Sequence, residues 1–84
     1  MRELELMGTL GCHLCELAVG VIVSVVDPNQ FAVFQVDIAE DDELMEQYAI
    51  RIPVLVDVET QAALDWPFDQ EALQQFLISL TTPS

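Results

Sequence analysis

The chain has 84 residues, enough for one small domain over 1–84, and 52% of them are hydrophobic, which is typical of a folded chain rather than a disordered one. Its 15 acidic residues against two arginines give a formal net charge of −13, which argues against nucleic acid as a partner because phosphate binding requires Lys and Arg. The same charge, and the lack of an apolar run of about 20 residues, argue against a membrane partner.

The first half of the chain predicts a strand, a helix and a second strand. Residues 3–7 alternate polar and apolar side chains, which indicates a short strand ending in a loop. Residues 13–26 are rich in valine, which favours a strand, but their length exceeds that of a typical strand and indicates a buried helix. The turn residues at 27–30 end that helix. Residues 31–38 are almost continuously hydrophobic, which indicates a strand buried on both faces.

The second half predicts a helix, a hairpin and a last helix. Residues 39–49 have the acidic first turn that stabilises the positive end of a helix. Residues 53–58 and 61–66 are expected to form a hairpin. Residues 69–80 carry leucine and phenylalanine at helical spacing, with Asp69 as the candidate N-cap, and the tail beyond them is expected to fray.

This order, β-α-β-α-β-β-α, predicts an α/β fold with one mixed sheet. Strands that are joined through a crossover helix run parallel, so the helical crossovers should produce a parallel pair. The hairpin then adds two antiparallel strands. We expect a four-stranded mixed sheet flanked on both faces by three helices.

The two cysteines of the chain, Cys12 and Cys15, fall where the first strand leads into the first helix. The unpaired N–H groups and the positive end of a helix stabilise a thiolate, which favours the ionised form of Cys12. Cys15 follows about one helical turn later, on the same side, and can close a disulfide with Cys12. In this interpretation Cys12 is the nucleophile and Cys15 is the resolving thiol.

Other interpretations of these residues stay open. A permanent disulfide between Cys12 and Cys15 would close too short a loop to stabilise the fold much. A structural metal takes four ligands, and Cys12, Cys15 and His13 supply only three, so a metal or cluster would have to be shared between two subunits. His13 either tunes the Cys12 thiolate or is simply an exposed residue of the motif.

A second feature lies in residues 48–55, "YAIRIPVL", where Pro53 begins a strand directly after a helix. Together with Cys-His-Leu-Cys and the element order, it resembles the thioredoxin superfamily, and within it the small bacterial glutaredoxin-like proteins that carry Cys-His-Leu-Cys. The resemblance covers nearly the whole chain. It implies a thioredoxin-like fold and a thiol–disulfide oxidoreductase that cycles Cys12 and Cys15 between dithiol and disulfide. It also implies that Pro53 is a cis-proline beside the cysteines and that Ile52 offers its backbone to an extended substrate.

The same resemblance implies substrates that are protein or small-molecule disulfides, an electron donor of unknown identity, glutathione as a candidate co-substrate, and no bound cofactor. Arg51 is the nearby cation for substrate binding, and Asp69 matches the acidic helix cap of the family. The alternative is a non-catalytic binding module of the same fold, whose cysteines serve a partner protein or a shared metal. Because the chain starts without an apolar signal segment, we expect it in the cytoplasm. We also expect a monomer.

Overall fold

The structure is a computed structural model that describes residues 2–81. The elements are β1 (Arg2–Gly8), α1 (His13–Val25), β2 (Phe31–Asp37), α2 (Asp42–Tyr48), β3 (Val54–Asp57), β4 (Ala63–Asp65) and α3 (Gln70–Thr81). Their order is the predicted one. The end of the tail, at 82–84, lies outside the described residues, and Thr81 still belongs to α3. None of the helices in 2–81 has the length and apolarity needed to span a membrane.

The four strands form one mixed sheet in the order β2-β1-β3-β4. β1 runs parallel to β2 and antiparallel to β3, and β3 runs antiparallel to β4. This confirms both the parallel pair and the hairpin. The strand β1 therefore lies at the centre of the sheet, between the parallel pair and the antiparallel one.

Most of the residues of the candidate site lie at one end of this sheet. Gly8 pairs with Asp37 on one side of the sheet, while Val54 pairs with Met7 and Asp65. β1, β2 and β4 therefore end, and β3 begins, at the same end. We call it the cysteine end, since the loop leaving β1 there leads to both cysteines.

Alternating side chains of the sheet contribute to two hydrophobic clusters, one on each face. α1 and α3 cover one face, where the buried residues are Leu4, Leu6, Ala18, Ile22, Phe31, Leu55, Phe68, Leu73 and Leu77. α2 covers the other face, with Met7, Ile38, Tyr48, Val54 and Val56. The prediction of helices on both faces is confirmed.

Two predictions of burial are wrong. β2 is not buried on both faces, because it is an edge strand with a neighbour on one side only, and its Phe34 is 51% exposed. α1 is buried along one stripe, at Ala18 and Ile22, while Val23 on the other side is 75% exposed. A helix that packs against one sheet face and one other helix needs to bury only that stripe.

The helix predicted over 39–49 is in fact shorter and is preceded by a separate turn. A 3-10 turn spans Ile38–Glu40, and α2 starts at Asp42. Asp41 separates the two because its backbone is extended and its Oδ1 accepts hydrogen bonds from the N–H groups of Glu43 (2.9 Å) and Leu44 (3.3 Å). Asp41 is thus the N-cap, and a cap residue ends the regular helix on its N-terminal side.

A buried ion pair ties the start of β1 to the β3–β4 hairpin. The Asp57 side chain is fully buried, and Arg2 donates to it from Nε to Oδ1 (3.1 Å) and from Nη2 to Oδ2 (2.9 Å). Thr60 donates to Oδ2 from its backbone N–H (3.0 Å) and its hydroxyl (2.6 Å). Burial raises the pKa of Asp57, but the hydrogen bonds from Arg2 and Thr60 together hold that pKa below its usual value.

The variant Asp57→Asn tests this pair. Because the folded-state pKa of Asp57 is depressed, its contribution is fully present above its ordinary pKa of 3.8 and is lost as the pH falls through the lower folded-state pKa. We expect Asp57→Asn to lower the free energy of unfolding at pH 7 by about 1–3 kcal/mol, because buried donors lose a charged acceptor. The difference from the parent should shrink below pH 3.8. Urea unfolding at several pH values measures both effects.

Glu59→Gln is the matched control for that experiment. Glu59 approaches the same arginine, with its Oε2 3.3 Å from Arg2 Nη1, but its side chain is 72% exposed. An exposed pair contributes little, so this variant should lose much less stability than Asp57→Asn. Equal losses in the two variants, or a loss in Asp57→Asn that persists unchanged at low pH, would contradict the assignment.

Candidate functional site

The loop 9–12 carries the first cysteine from the end of β1 to the start of α1. Gly11 has φ +75°, a left-handed conformation that glycine adopts without the penalty a side chain would bring. The Cys12 N–H donates to the Thr9 carbonyl at 3.4 Å. Cys12 itself is extended (φ −79°, ψ 107°) and is the N-cap of α1. The sequence placed Cys12 at the helix start, and the structure does the same.

The two cysteines form a disulfide in the structure, and their Cα atoms are 5.2 Å apart. Both residues are half-buried. The Cys12 Sγ also accepts a hydrogen bond from the Cys15 backbone N–H at 3.1 Å. That N–H is among the first donors of a helix, which have no partner within the helix, so the cap is supplied by the sulfur. The spacing predicted that the two thiols can close a disulfide, and the structure places them at disulfide distance.

Gly8, the last residue of β1, lies against the sulfur of Cys15. A Cβ added at Gly8 would lie 2.7 Å from Cys15 Sγ and 3.5 Å from Cys15 Cβ. The first distance is well below van der Waals contact, so a larger residue at position 8 would displace the sulfur. The sequence placed position 8 in the loop after the first strand, whereas the structure makes it the last residue of β1. The close approach depends on how α1 packs on β1, and no local pattern reports it.

An open groove adjoins the disulfide. It has a volume of about 340 Å³ and is lined by Thr9, Leu10, Gly11, Cys12, Cys15, Glu16, Val19 and Gln35. A second depression of about 200 Å³ lies on the Cys15 side and includes Gly8 and Asp37. Both sulfur-bearing residues thus border space that a substrate can enter, and Leu10 on the rim is 90% exposed.

The segment around Pro53 lies at the same end of the sheet. Met7 pairs with Val54 in antiparallel register, so the next residues in each direction, Gly8 and Pro53, are neighbours. Pro53 is buried, and the Ile52–Pro53 peptide bond is cis. The fold therefore brings this distant segment beside the strand end on which Cys15 packs.

The backbone groups of this segment are largely engaged within the protein. The Ile52 N–H donates to the Tyr48 carbonyl at 3.1 Å, and the Pro53 carbonyl accepts from the Trp66 N–H at 3.2 Å. A second cis bond, Trp66–Pro67, lies in the adjoining segment and has no counterpart in the sequence predictions. The Ile52 N–H is therefore already bonded within the protein.

Arg51 and Asp69, the charged residues considered for substrate binding, both have partners within the chain. Arg51 donates from Nη2 to Asp65 Oδ1 at 2.7 Å and from Nε to Oδ2 at 3.4 Å, and it lies 5.3 Å from the Tyr48 ring centroid. The hydrogen bond to Asp65 raises the pKa of Arg51. Asp69 Oδ1 accepts from the Ala72 N–H at 2.8 Å, which confirms Asp69 as the cap of α3.

His13 follows Cys12 on the exposed side of α1. Its Nδ1 lies 3.9 Å from Glu16 Oε2, and both side chains are about 80% exposed. Within residues 2–81 no group of three or more His, Cys, Asp or Glu side chains is arranged to hold a metal ion. A metal shared by two copies of the chain, through Cys12 and Cys15, stays a prediction of the sequence.

Comparison with known proteins agrees with this fold and site. The family model "Glutaredoxin-like domain (DUF836)" matches residues 3–78. The X-ray structure of protein XcR50 from X. campestris is 36% identical, covers 95% of this chain and 99% of its own, and superposes with a TM-score of 0.79. The solution structure of Ne2328 from Nitrosomonas europaea is 26% identical over 89% of each chain, with a TM-score of 0.74. No curated protein matches. The chain has a thioredoxin-like fold and belongs to the glutaredoxin-like family.

Proposed function

We propose that the protein is a thiol–disulfide oxidoreductase of glutaredoxin-like type, which cycles Cys12 and Cys15 between dithiol and disulfide. The observation that carries the proposal is the disulfide at the start of α1, bordered by an open groove. Membership of the glutaredoxin-like family supports it. A permanent disulfide that closes so short a loop would add little to the stability of the fold.

Cys12 is the nucleophile in this proposal, because the local geometry favours a thiolate at its sulfur. The Cys15 N–H already points at Cys12 Sγ, at 3.1 Å. In the reduced protein the same donor would bond the thiolate, and a hydrogen bond to an ionised acceptor is stronger than one to a neutral acceptor. The positive end of α1 acts in the same direction.

The exchange proceeds in two steps, and each step forms one S–S bond and breaks another. The Cys12 thiolate attacks one sulfur of a substrate disulfide, forms a mixed disulfide and releases the other substrate sulfur as a thiolate. Cys15 then gives its proton to solvent or to the released thiolate and attacks Cys12 Sγ, which forms the Cys12–Cys15 bond, breaks the mixed disulfide and releases the second substrate thiolate. The substrate gains two electrons, and a thiol reductant must supply two electrons to the protein before the next cycle. The Cα separation of 5.2 Å lets the second bond form without moving the backbone.

Ile52 and Pro53 are assigned to substrate binding beside this pair. An extended peptide lying along the segment would donate a backbone N–H to the Ile52 carbonyl, since the Ile52 N–H is bonded to Tyr48. Protein disulfides and small-molecule disulfides, glutathione disulfide among them, are the candidate substrates. Arg51 and Asp69 are held by partners within the chain, and neither lines the groove beside the disulfide.

Cys12→Ser and Cys15→Ser test the assigned roles. The first variant should not reduce a fluorescent peptide disulfide, because it lacks the attacking thiolate. The second should react once and remain joined to the peptide, because nothing resolves the mixed disulfide. Fluorescence gives the rate, and intact-protein mass spectrometry detects the adduct. A Cys12→Ser protein as fast as the reduced parent would refute the proposal, and a metal bridging two chains in native mass spectra would favour the binding module.

Gly8→Ala tests the coupling of the sheet to the redox pair. The added methyl group displaces Cys15 Sγ, which the disulfide holds in place but which can rotate away in the dithiol. Overpacking typically costs about 1–3 kcal/mol, so we expect the midpoint potential to rise by about 20–60 mV, towards easier reduction. Equilibration in thiol redox buffers measures the potential.

Gly20→Ala is the control for Gly8→Ala. It makes the same chemical change in the middle of α1, where a Cβ meets no other group. It should leave the midpoint potential unchanged and stabilise the helix by about 0.5–1 kcal/mol. If Gly8→Ala folds and keeps the parent potential, the contact between Gly8 and Cys15 has no role in the redox equilibrium.

A further inference from the structure

The cysteine end carries a strong excess of negative charge around the disulfide. Glu16, in the first turn of α1, lines the same groove as both cysteines. The other carboxylates at this end come from the end of β2, from the turn that follows it and from the start of α2: Asp37, Glu40, Asp41 and Asp42. Asp65, at the end of β4, is paired with Arg51 and adds no net charge. Of these carboxylates, Glu16 and Asp37 line the two depressions beside the cysteines, so a substrate that approaches the sulfur atoms enters a negative potential.

Neither arginine of the described chain is placed to offset that potential for a bound anion. Arg2 lies at the opposite end of the sheet, where it is bonded to Asp57 and lies 3.3 Å from Glu59. Arg51 lies at the cysteine end, but its guanidinium is held by Asp65. An anionic substrate would have to break that pair to find a cation.

Exposed apolar side chains surround the same site. Leu10, on the loop before Cys12, is 90% exposed, and Leu14, between the two cysteines, is 45% exposed. Ile50, on the segment that leads to Pro53, is 99% exposed. The surface at the cysteine end thus combines carboxylates with exposed apolar side chains.

We infer that the disulfide exchanged at Cys12 and Cys15 is carried by a polypeptide whose cysteine is flanked by Lys or Arg and by apolar side chains. This rests on the proposed function and names its substrate class. Opposite charges raise the rate of encounter, by about 10–1,000-fold in strongly steered pairs, and like charges lower it. Glutathione disulfide, which carries net negative charge at pH 7, is a poor substrate in this account.

The test is a single turnover of the protein after reduction with dithiothreitol and desalting. Two apolar peptides of matched sequence, each with an internal disulfide, differ only in having Lys or Glu beside the cysteines; glutathione disulfide is the third substrate. Alkylation and mass spectrometry follow the oxidation of Cys12 and Cys15. Each rate is divided by the rate of the same disulfide with dithiothreitol, an uncharged dithiol, which removes differences in intrinsic reactivity.

We expect the Lys peptide to react at least about tenfold faster than the Glu peptide and glutathione disulfide at low salt. The advantage should shrink in about 0.5 M salt, because the Debye length there is only a few ångströms. Glu16→Gln should lower the ratio of the two peptide rates by about threefold, as expected for one charge near the site. Glu3→Gln, an exposed residue at the opposite end of the sheet, should leave the ratio unchanged.

The outcomes separate the inference from the proposed function. Equal normalised rates for the two peptides, or a fastest reaction with glutathione disulfide, would overturn the inference and leave the oxidoreductase proposal intact. Failure of all three disulfides to oxidise the reduced pair would overturn both. A charge preference that Glu3→Gln lowers as much as Glu16→Gln would show that the net charge of the molecule, rather than the cysteine end, selects the substrate, and would also overturn the inference.

Discussion

The contact between the Cys15 sulfur and the backbone of Gly8 is the constraint on which the site depends. It fixes the start of α1 against the end of β1, and the antiparallel register of β1 with β3 then places Pro53 next to Gly8. Only glycine permits this approach at position 8, because a Cβ would lie 2.7 Å from the sulfur. The position of the disulfide is thus determined by strand pairing as well as by the helix that carries both cysteines.

The two arginines of the chain are both used to hold the fold together. Arg2 neutralises the buried Asp57 at one end of the sheet, where an unpaired charge would be costly, and Arg51 joins the segment before Pro53 to the end of β4 through Asp65. Since both guanidinium groups are engaged, the net charge of −13 resides on carboxylates at the surface, including the surface around Cys12. In our proposals the charge of the chain changes the rate at which different substrates reach the site. The geometry of the two cysteines determines the thiol exchange that follows.

The element order and the disulfide could be predicted because they depend on local patterns: alternation in β1, helical spacing in α3 and the Cys-x-x-Cys spacing itself. The features that could not be predicted depend on pairing between distant segments. Phe34 is exposed because β2 lies at the edge of the sheet, and the order of strands is not encoded in any one of them. Arg2 and Asp57 meet across 55 positions, and the close approach at Gly8 exists only once α1 packs on the sheet.

The function proposed for this protein requires that Cys12 and Cys15 form a reversible two-electron couple. Its most direct test is to equilibrate the protein at graded ratios of reduced to oxidised thiol, alkylate the free cysteines, and count the added groups by mass spectrometry. We expect one transition in which both cysteines change together, with a midpoint between about −270 and −120 mV, the range known for this fold. Two cysteines that stay alkylated at every ratio, or that never become reduced while the protein is folded, would contradict it.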